Sequence, residues 1–298
     1  MAEPLSRPRA HALLHVTVAL WGLTAILGKT ITVGALALVF YRVTIVAVLM
    51  AAIMFRRGVS FRLSTRRALE FFGAGTIVAL HWIFFYGAVK TAGVAIAVLC
   101  LSTLSFFTAL IEPIFFRRRV RASELLLGAF VVLGVVLIVR MEVHGTAVGY
   151  AMGIASSFFS AAFGAWNGHL MVHERSERVT FFELSSAAVV CGLVFVPMGG
   201  FVAPWNVTPR DWALLAFLSV ACTLLPWLWT LRVVKTLSPY TISLAIALEP
   251  VYSIVLAYAL WPGEERLTPR FYVGSSILLA LIVVNAWLKE RFAPPRPA

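Results

Sequence analysis

Charge is scarce in this chain. Charged residues make up only 13% of the 298 residues, whereas 61% are hydrophobic. A soluble domain carries about 25% charged residues, so the composition excludes a soluble protein of this length. The net charge of +12 is often a sign of nucleic-acid binding, but that requires a solvated basic face. We therefore expect a multi-span membrane protein in contact with the lipid bilayer and no nucleic-acid partner.

Catalytic and metal-binding patterns are also absent from the sequence. Asp211 is its single aspartate, which excludes the paired aspartates of intramembrane proteases and prenyl transferases. Neither G-x-x-x-x-G-K-[ST] nor H-E-x-x-H occurs, so the chain has no phosphate-binding loop and no zincin site. The three cysteines, Cys100, Cys191 and Cys222, lack metal or redox spacing. We expect neither an enzyme nor a cofactor or metal.

Long apolar runs take the place of these motifs. A transmembrane helix needs about 20 apolar residues. The sequence predicts ten such spans, near residues 12–29, 35–55, 68–88, 93–116, 123–140, 148–170, 181–199, 211–231, 239–261 and 270–288.

The loops between these spans predict the orientation. With a cytoplasmic N-terminus, 18 of the 25 lysines and arginines fall in cytoplasmic segments, 6 fall outside, and Arg42 alone lies within a span. Cytoplasmic loops of membrane proteins carry the excess of Lys and Arg. We therefore predict a multi-pass membrane protein with both termini cytoplasmic.

The two halves of the sequence show matching features. Val89-Lys90-Thr91 follows the third span and Val234-Lys235-Thr236 follows the eighth, and on the same offset Trp82 matches Trp227. We predict an all-α polytopic fold built from two five-helix repeats, residues 1–145 and 146–298. Because five is odd, the second repeat enters the membrane from the opposite side. Inverted repeats are typical of secondary transporters; a duplicated scaffold without transport is the alternative.

Few polar residues lie within the predicted spans, and each is costly in lipid unless it faces protein or water. Glu249 lies in the middle of span nine, directly before Pro250, and shares a helix face with Tyr252. A carboxylate beside a broken helix can bind a cationic group or carry a proton. The alternative is a structural hydrogen bond between helices.

Span three combines His81 with Trp82 and Tyr86. Aromatic rings beside one imidazole suit an amphipathic organic solute, which stacks on the rings and hydrogen-bonds the histidine. The alternative is a histidine that is satisfied within the core.

Two stripes run along span six. Gly149, Gly153, Ser157, Ala161 and Ala165 form a small-residue stripe that predicts close helix packing. Trp166 and Asn167 belong to a separate polar and aromatic face, which lines a cavity or bonds between helices. In span four, Ser102 is a further candidate for the cavity.

Arg42 and Trp21 complete the candidates. Arg42 lies about seven residues into span two, from where its side chain can snorkel to the outer surface, pair with a carboxylate, or receive a substrate carboxylate. Trp21 lies in the middle of span one and either lines the same cavity or packs in the core.

These residues resemble the drug/metabolite transporter superfamily and, within it, the ten-span EamA-domain permeases. Trp21-Gly22 with a later Lys29, Arg42, Leu248-Glu249-Pro250 and the Glu264–Thr268 turn before Gly274 match the family pattern over residues 12–290. The first repeat departs from it, because Arg117–Arg119 replace the usual Gly-Glu turn and Ser102-Thr103 stands near the usual fourth-span proline.

The resemblance implies export of small organic solutes. Similarity to the YddG-type aromatic amino-acid exporters favours aromatic or bulky apolar amino acids as substrates, moved by alternating access, with proton coupling left open. The substrate-binding candidates are His81, Trp82, Tyr86, Trp166, Asn167, Glu249, Ser102, Tyr252 and Trp21, with Arg42 as an electrostatic or gating element. The alternatives are an antiporter of nucleotide sugars or phosphorylated metabolites, and a membrane enzyme or assembly partner.

Overall fold

A computed structural model describes residues 5–116, 119–120, 122–141, 146–171, 174–200, 202–233, 236–237, 245, 248–263, 268–270, 272–277 and 280. Within these residues the chain is helical and has no strand. In chain order the α-helices are α1 Arg7–Thr30, α2 Ala35–Arg56, α3 Thr65–Ala92, α4 Val94–Leu101, α5 Leu104–Phe116, α6 Ala122–Met141, α7 Ala147–Met171, α8 Ser176–Val190, α9 Pro209–Ser219, α10 Leu225–Val233 and α11 Glu249–Leu260.

Three shorter helical segments join these helices. A π-helical segment, Cys191–Gly200, continues α8; a single 3₁₀ turn, Pro204–Asn206, precedes α9; and a second π-helical segment, Val220–Leu224, links α9 to α10. Side-chain caps fix two helix starts, since the Ser64 hydroxyl accepts from the Arg67 backbone N–H and the Thr208 hydroxyl accepts from that of Asp211.

Six helical stretches in the described part of the chain are long and apolar enough to cross a membrane: Arg7–Thr30, Ala35–Arg56, Thr65–Ala92, Val94–Phe115, Ala147–Asn167 and Pro209–Thr230. Gly128–Leu137 and Glu249–Leu260 are shorter apolar helices. The all-α membrane fold is confirmed. The count of ten stays a prediction, because much of the predicted spans nine and ten, from residue 238 to 244 and from 281 onward, lies outside the described residues.

Helices of the two halves pack against one another. Helix α3 packs on α7 and α8, α2 packs on α8 and α9, and α4 meets α11. Helix α7 also packs on α5. Helix α1 packs on both α10 and α11. The central contacts therefore join the first half to the second. The division at residues 145 and 146, and the inversion of the second half, stay predictions.

The predicted span four is not one continuous helix. Helix α4 ends at Leu101, and α5 begins at Leu104. The Thr103 hydroxyl donates to the Cys100 carbonyl at 2.7 Å, and the Ser157 hydroxyl of α7 donates to the same carbonyl at 2.8 Å. The Thr103 backbone N–H also donates to this carbonyl, at 3.0 Å, so the backbone acceptor at the break is fully satisfied within the membrane.

The small-residue stripe of α7 lies against this region. A Cβ placed on Gly153 would come 2.7 Å from Cys100 Cβ, and one placed on Gly149 would come 2.6 Å from Ala92 Cβ. Both are shorter than real contacts, so only glycine permits this approach of α7. The stripe is a packing face, as its spacing predicts.

Two sets of polar bonds tie the halves together at opposite ends of the bundle. At the predicted cytoplasmic end, Arg178 donates to the carbonyls of Ser60 and, at 2.9 Å, Arg62. We call these bonds the Arg178 tie. At the other end, the Asp211 carboxylate accepts from the Thr32 backbone N–H at 3.1 Å and from the Thr32 hydroxyl, and we call these bonds the Asp211 tie. Asp211 is 1% exposed.

Candidate functional site

Arg42 is the centre of a buried polar cluster. Its side chain is only 3% exposed, so it does not snorkel to the outer surface. Its Nε–H donates to Thr223 Oγ1 at 2.8 Å, and Nη1 donates to the Tyr86 hydroxyl at 2.6 Å. The guanidinium carbon lies 4.0 Å from the centre of the Trp82 ring, where the negative face of the indole stabilises the cation.

Tyr86 links Arg42 to α1. The tyrosine is fully buried, and its hydroxyl accepts from the arginine. Its ring lies against Gly28 of α1, where an added Cβ would come within 2.6 Å of the ring. Gly28 is therefore required for α1 to approach α3 at this level. The polar cluster thus joins α1, α2, α3 and the π-helical segment that contains Thr223.

Thr223 has no counterpart among the residues predicted from sequence. Its hydroxyl accepts from Arg42 and donates to the Leu218 carbonyl five residues earlier, at 2.8 Å. This spacing belongs to the π-helical turn Val220–Leu224, which ends two residues before Pro226. Proline has no N–H and disturbs the helix one turn back, and π-helical turns are frequent at functional sites. Pro226 in an apolar span was therefore the signal that could have identified Thr223.

Glu249 comes from the second half of the chain, where it is the first residue of α11. No salt bridge within 4 Å joins it to Arg42 among the described residues. The start of α11 lies against α1 at Gly22, whose carbonyl accepts from the Ser253 hydroxyl at 3.0 Å. Glu249 keeps partial exposure, in contrast to Arg42.

His81 has partners within the core. Its Nδ1 lies 3.0 Å from the Ser156 carbonyl and 2.9 Å from the Ser156 hydroxyl, which itself donates to the His81 carbonyl. Because a carbonyl only accepts, Nδ1 carries the proton, and Nε2 of the neutral ring is an acceptor. The His81 ring lies 6.4 Å from that of Trp82. Half-buried, it borders the Arg42 cluster without joining it.

Helices α4 and α11 each carry a polar residue at one end. Ser102 ends α4 and is 9% exposed, and Glu249 begins α11. Helices α4 and α11 contact each other. Broken helices near the middle of the membrane form the binding sites of many secondary transporters, because the interrupted backbone offers polar groups there.

Trp21 and Tyr252 pack against one apolar cluster. With Leu248, they contact buried residues of α1 and of the chain around Val233 and Leu237. Tyr252 also lies close to α1 at Gly22, where an added Cβ would come 3.0 Å from Tyr252 Cβ.

Trp166 and Asn167 lie apart from the other candidates. Trp166 packs on Phe115 at 5.7 Å between ring centres and against Gly73, in an apolar cluster with Leu170. It follows Ser156, the partner of His81, by ten residues, which is about 15 Å along a helix. Asn167 Oδ1 is buried without a hydrogen-bond partner among the described residues. The structure thus separates this pair from the Arg42 cluster and places it nearer the Arg178 tie.

One further buried carboxyl group was not among the residues predicted from the sequence. Glu183 of α8 is 0% exposed, and neither of its carboxyl oxygens has a hydrogen-bond partner in the part of the chain that the structure describes. A glutamate two residues inside the predicted span seven was the available signal. Groups of three or more possible metal ligands do not occur among the described residues.

Comparison with known proteins identifies the family. The model of the EamA-like transporter family matches the chain twice, over residues 9–140 and 147–287. The chain belongs to this family. The resemblance seen in the sequence is therefore confirmed at the level of the family, whereas YddG-type specificity stays a prediction.

The fold of this EamA-like transporter is shared by solved structures. A crystal structure described only as that of a protein superimposes with a TM-score of 0.66 and 19% sequence identity, covering 97% of this chain and all of the other. At that identity the likeness supports the fold alone. No curated protein matches the chain in sequence.

Family membership makes this chain a membrane transporter of the EamA-like type, and the family's two matches fall on either side of residues 141–146. The Arg42 cluster draws on both matched regions, since Arg42, Trp82 and Tyr86 come from the first and Thr223 and Glu249 from the second. A site at such a junction changes its geometry whenever one region moves against the other.

Proposed function

We propose that this transporter exports amino acids with aromatic or bulky apolar side chains across a bacterial inner membrane, by alternating access of its two halves. One observation carries the proposal: a buried arginine of the first half is stacked on Trp82 and bonded to Tyr86 and to Thr223 of the second half. Buried charges in a membrane mark substrate or ion pathways.

The chemistry around Arg42 supports this substrate class. A guanidinium supplies several N–H donors to a carboxylate, and aromatic rings favour flat or bulky apolar groups. Trp21 and Tyr252, which pack against one apolar cluster, add further rings. Phosphorylated metabolites carry more negative charge and would require further cations, whereas the described charged groups of the cluster are one arginine and one glutamate.

Transport by the purified protein tests the proposal. We would reconstitute it into liposomes and measure the flux of labelled phenylalanine, tryptophan, leucine, glycine and a nucleotide sugar, with and without an imposed pH gradient. We expect flux of the first three above that of glycine and the nucleotide sugar. Dependence of that flux on the pH gradient would establish proton coupling.

Two tryptophan variants provide the site test. Trp82→Ala removes the ring under Arg42 and should abolish most of the flux. Trp205→Ala is the matched control, because Trp205 is 83% exposed in a turn and should leave flux unchanged. Equal flux in both variants, or a preference for the nucleotide sugar, would contradict the proposal.

A further inference from the structure

Glu183 of α8 is a buried glutamate that takes no part in the Arg42 cluster. The residue is 0% exposed, and both oxygens of its carboxyl group lack a hydrogen-bond partner among the described residues. An ionised carboxylate in this position would have neither water nor a counter-charge, so its charged form is strongly disfavoured. In the packed structure Glu183 is therefore a neutral carboxyl group that carries its proton.

The elements around Glu183 supply no compensating charge. Helix α8 packs on α2, α3, α7 and the π-helical segment that follows it. The titratable and charged groups of α8 and these elements are Tyr41, Arg42 and Arg56 on α2; Arg66, Arg67, Glu70, His81, Tyr86 and Lys90 on α3; Tyr150 and His169 on α7; Glu177 and Arg178 on α8; and Cys191 in the π-helical segment. In the part of the chain that the structure describes, the Glu183 carboxyl group is bonded to none of them.

The burial of Glu183 depends on contact between the two halves. Gly75 of α3 lies opposite it, where an added Cβ would meet the Glu183 carbonyl oxygen and come 2.6 Å from Ser186 Cβ. Arg178 precedes Glu183 by five residues, which is about 7.5 Å along a helix. Glu183 thus lies just inside the end of the bundle that the Arg178 tie holds, which we call the Arg178 end. Opening of this end separates α3 from α8 and admits water to the carboxyl group.

We infer that Glu183 is a proton-binding site, which is occupied while the halves are packed at the Arg178 end and is emptied when that end opens. Water in the open interface stabilises the carboxylate, so the proton leaves the carboxyl oxygen for water. A ligand that binds one of two states shifts the equilibrium toward that state, and here the ligand is the proton. Acid therefore favours the closed end, and each rise in pH favours opening. The inference goes beyond the proposed function, because it concerns an ion and not the transported solute.

The other carboxylates at this end predict the opposite response to pH. Glu174 pairs with Arg178 at 2.9 Å, and Glu177 pairs with Arg57 at 3.0 Å. Acid that protonates these carboxylates breaks their ion pairs and so loosens the end. A proton on Glu183 instead keeps the end closed. The sign of the pH dependence therefore distinguishes the two causes.

Spin labels on both sides of the Arg178 end measure its opening without any transported solute. Arg62→Cys lies in the loop between α2 and α3, and Arg175→Cys lies directly before α8; both positions are exposed, whereas the three native cysteines are buried. Double electron–electron resonance in nanodiscs gives the populations of short and long distances between the labels. We expect the short distance to dominate in acid, and the ratio of long to short to rise by up to about tenfold per pH unit once Glu183 ionises.

Two neutral variants test whether Glu183 causes this response. Glu183→Gln keeps the shape of the protonated carboxyl group but has no proton to release, so the short distance should dominate at every pH. Glu183→Leu is a second neutral variant with the same expected result, and it does not depend on the folding of the first. Glu70→Gln is the matched control, because Glu70 is already paired with Arg66 and Arg67 at the same end, and it should keep the response to pH.

Infrared spectra of the same samples report the proton itself. The C=O stretch of a protonated carboxyl group differs from that of a carboxylate, and subtraction of the Glu183→Leu spectrum assigns it to Glu183. We expect this band at neutral pH, and its loss over the pH range in which the long distance grows. Absence of the band at neutral pH, opening that increases with acid, or a pH response that persists in both neutral variants would overturn the site. Absence of amino-acid flux would overturn the proposed function alone, because neither measurement contains a transported solute.

Discussion

The bond between Thr223 and Arg42 gives the sharpest single-atom test of the site. In Thr223→Val a methyl group replaces the hydroxyl with little change in volume. The Arg42 Nε–H then loses an acceptor 2.8 Å away in a buried position, and the Leu218 carbonyl loses a donor. A hydrogen bond to a charged group contributes about 1.5–3 kcal/mol.

That energy sets the expected size of both effects. The variant should unfold at a lower temperature in detergent, by the equivalent of about 1.5–3 kcal/mol. If the guanidinium turns away from the ligand to find another partner, the same energy corresponds to about ten- to hundredfold weaker competition by phenylalanine. Thermal unfolding of the purified protein and half-maximal competition in proteoliposomes measure the two effects separately.

Thr223→Ser is the matched control, because it restores the hydroxyl and removes one methyl group. It should recover most of the unfolding temperature and most of the affinity. If valine and serine behave alike, or if valine leaves both quantities unchanged, the Thr223 hydroxyl does not position Arg42 and the reasoning is refuted.

Packing and burial give two further predictions. Gly75→Ala should destabilise the protein by about 1–3 kcal/mol in thermal unfolding, because the added methyl meets α8 at 2.6 Å from Ser186 Cβ and 2.9 Å from the Ala187 backbone nitrogen. Gly164→Ala, with nothing within 4 Å, is its control and should be neutral or stabilising; equal losses in both would contradict the α3–α8 contact. Glu183→Leu should stabilise the protein by about 1–3 kcal/mol, because it removes a buried carboxyl group that has no hydrogen-bond partner among the described residues. A lower unfolding temperature in this variant would show that the carboxyl group does have a partner.

The sequence predicted the membrane helices well where apolar runs are uninterrupted. Hydropathy alone identifies α1, α2, α3 and α7, because each must satisfy its own backbone in lipid. It placed a single span over residues 93–116, whereas the structure breaks it at Ser102 and Thr103. Neither proline nor glycine marks that point, and the break is stabilised by a bond from Ser157 of α7, which only the folded chain brings there.

The sequence identified most residues of the candidate site, but not which of them lie together. Polar residues within spans are few, so Arg42, His81 and Glu249 stand out from composition. Which of them meet depends on the rotation and depth of each helix, and for that reason Trp166 was grouped with His81 although it lies about 15 Å further along α7. Thr223 was missed because a hydroxyl in an apolar span is unremarkable until a π-helical turn directs it at a cation.

The two ties at the ends of the bundle respond differently to salt. At the Arg178 end the halves are also joined by the Arg57–Glu177 ion pair at 3.0 Å, whose arginine side chain is 60% exposed, and salt screens exposed charges. The Asp211 tie is buried, where screening is much weaker. Raising the ionic strength should therefore loosen the Arg178 end and leave the Asp211 end closed, so that one property of the solution favours opening at one end of the bundle.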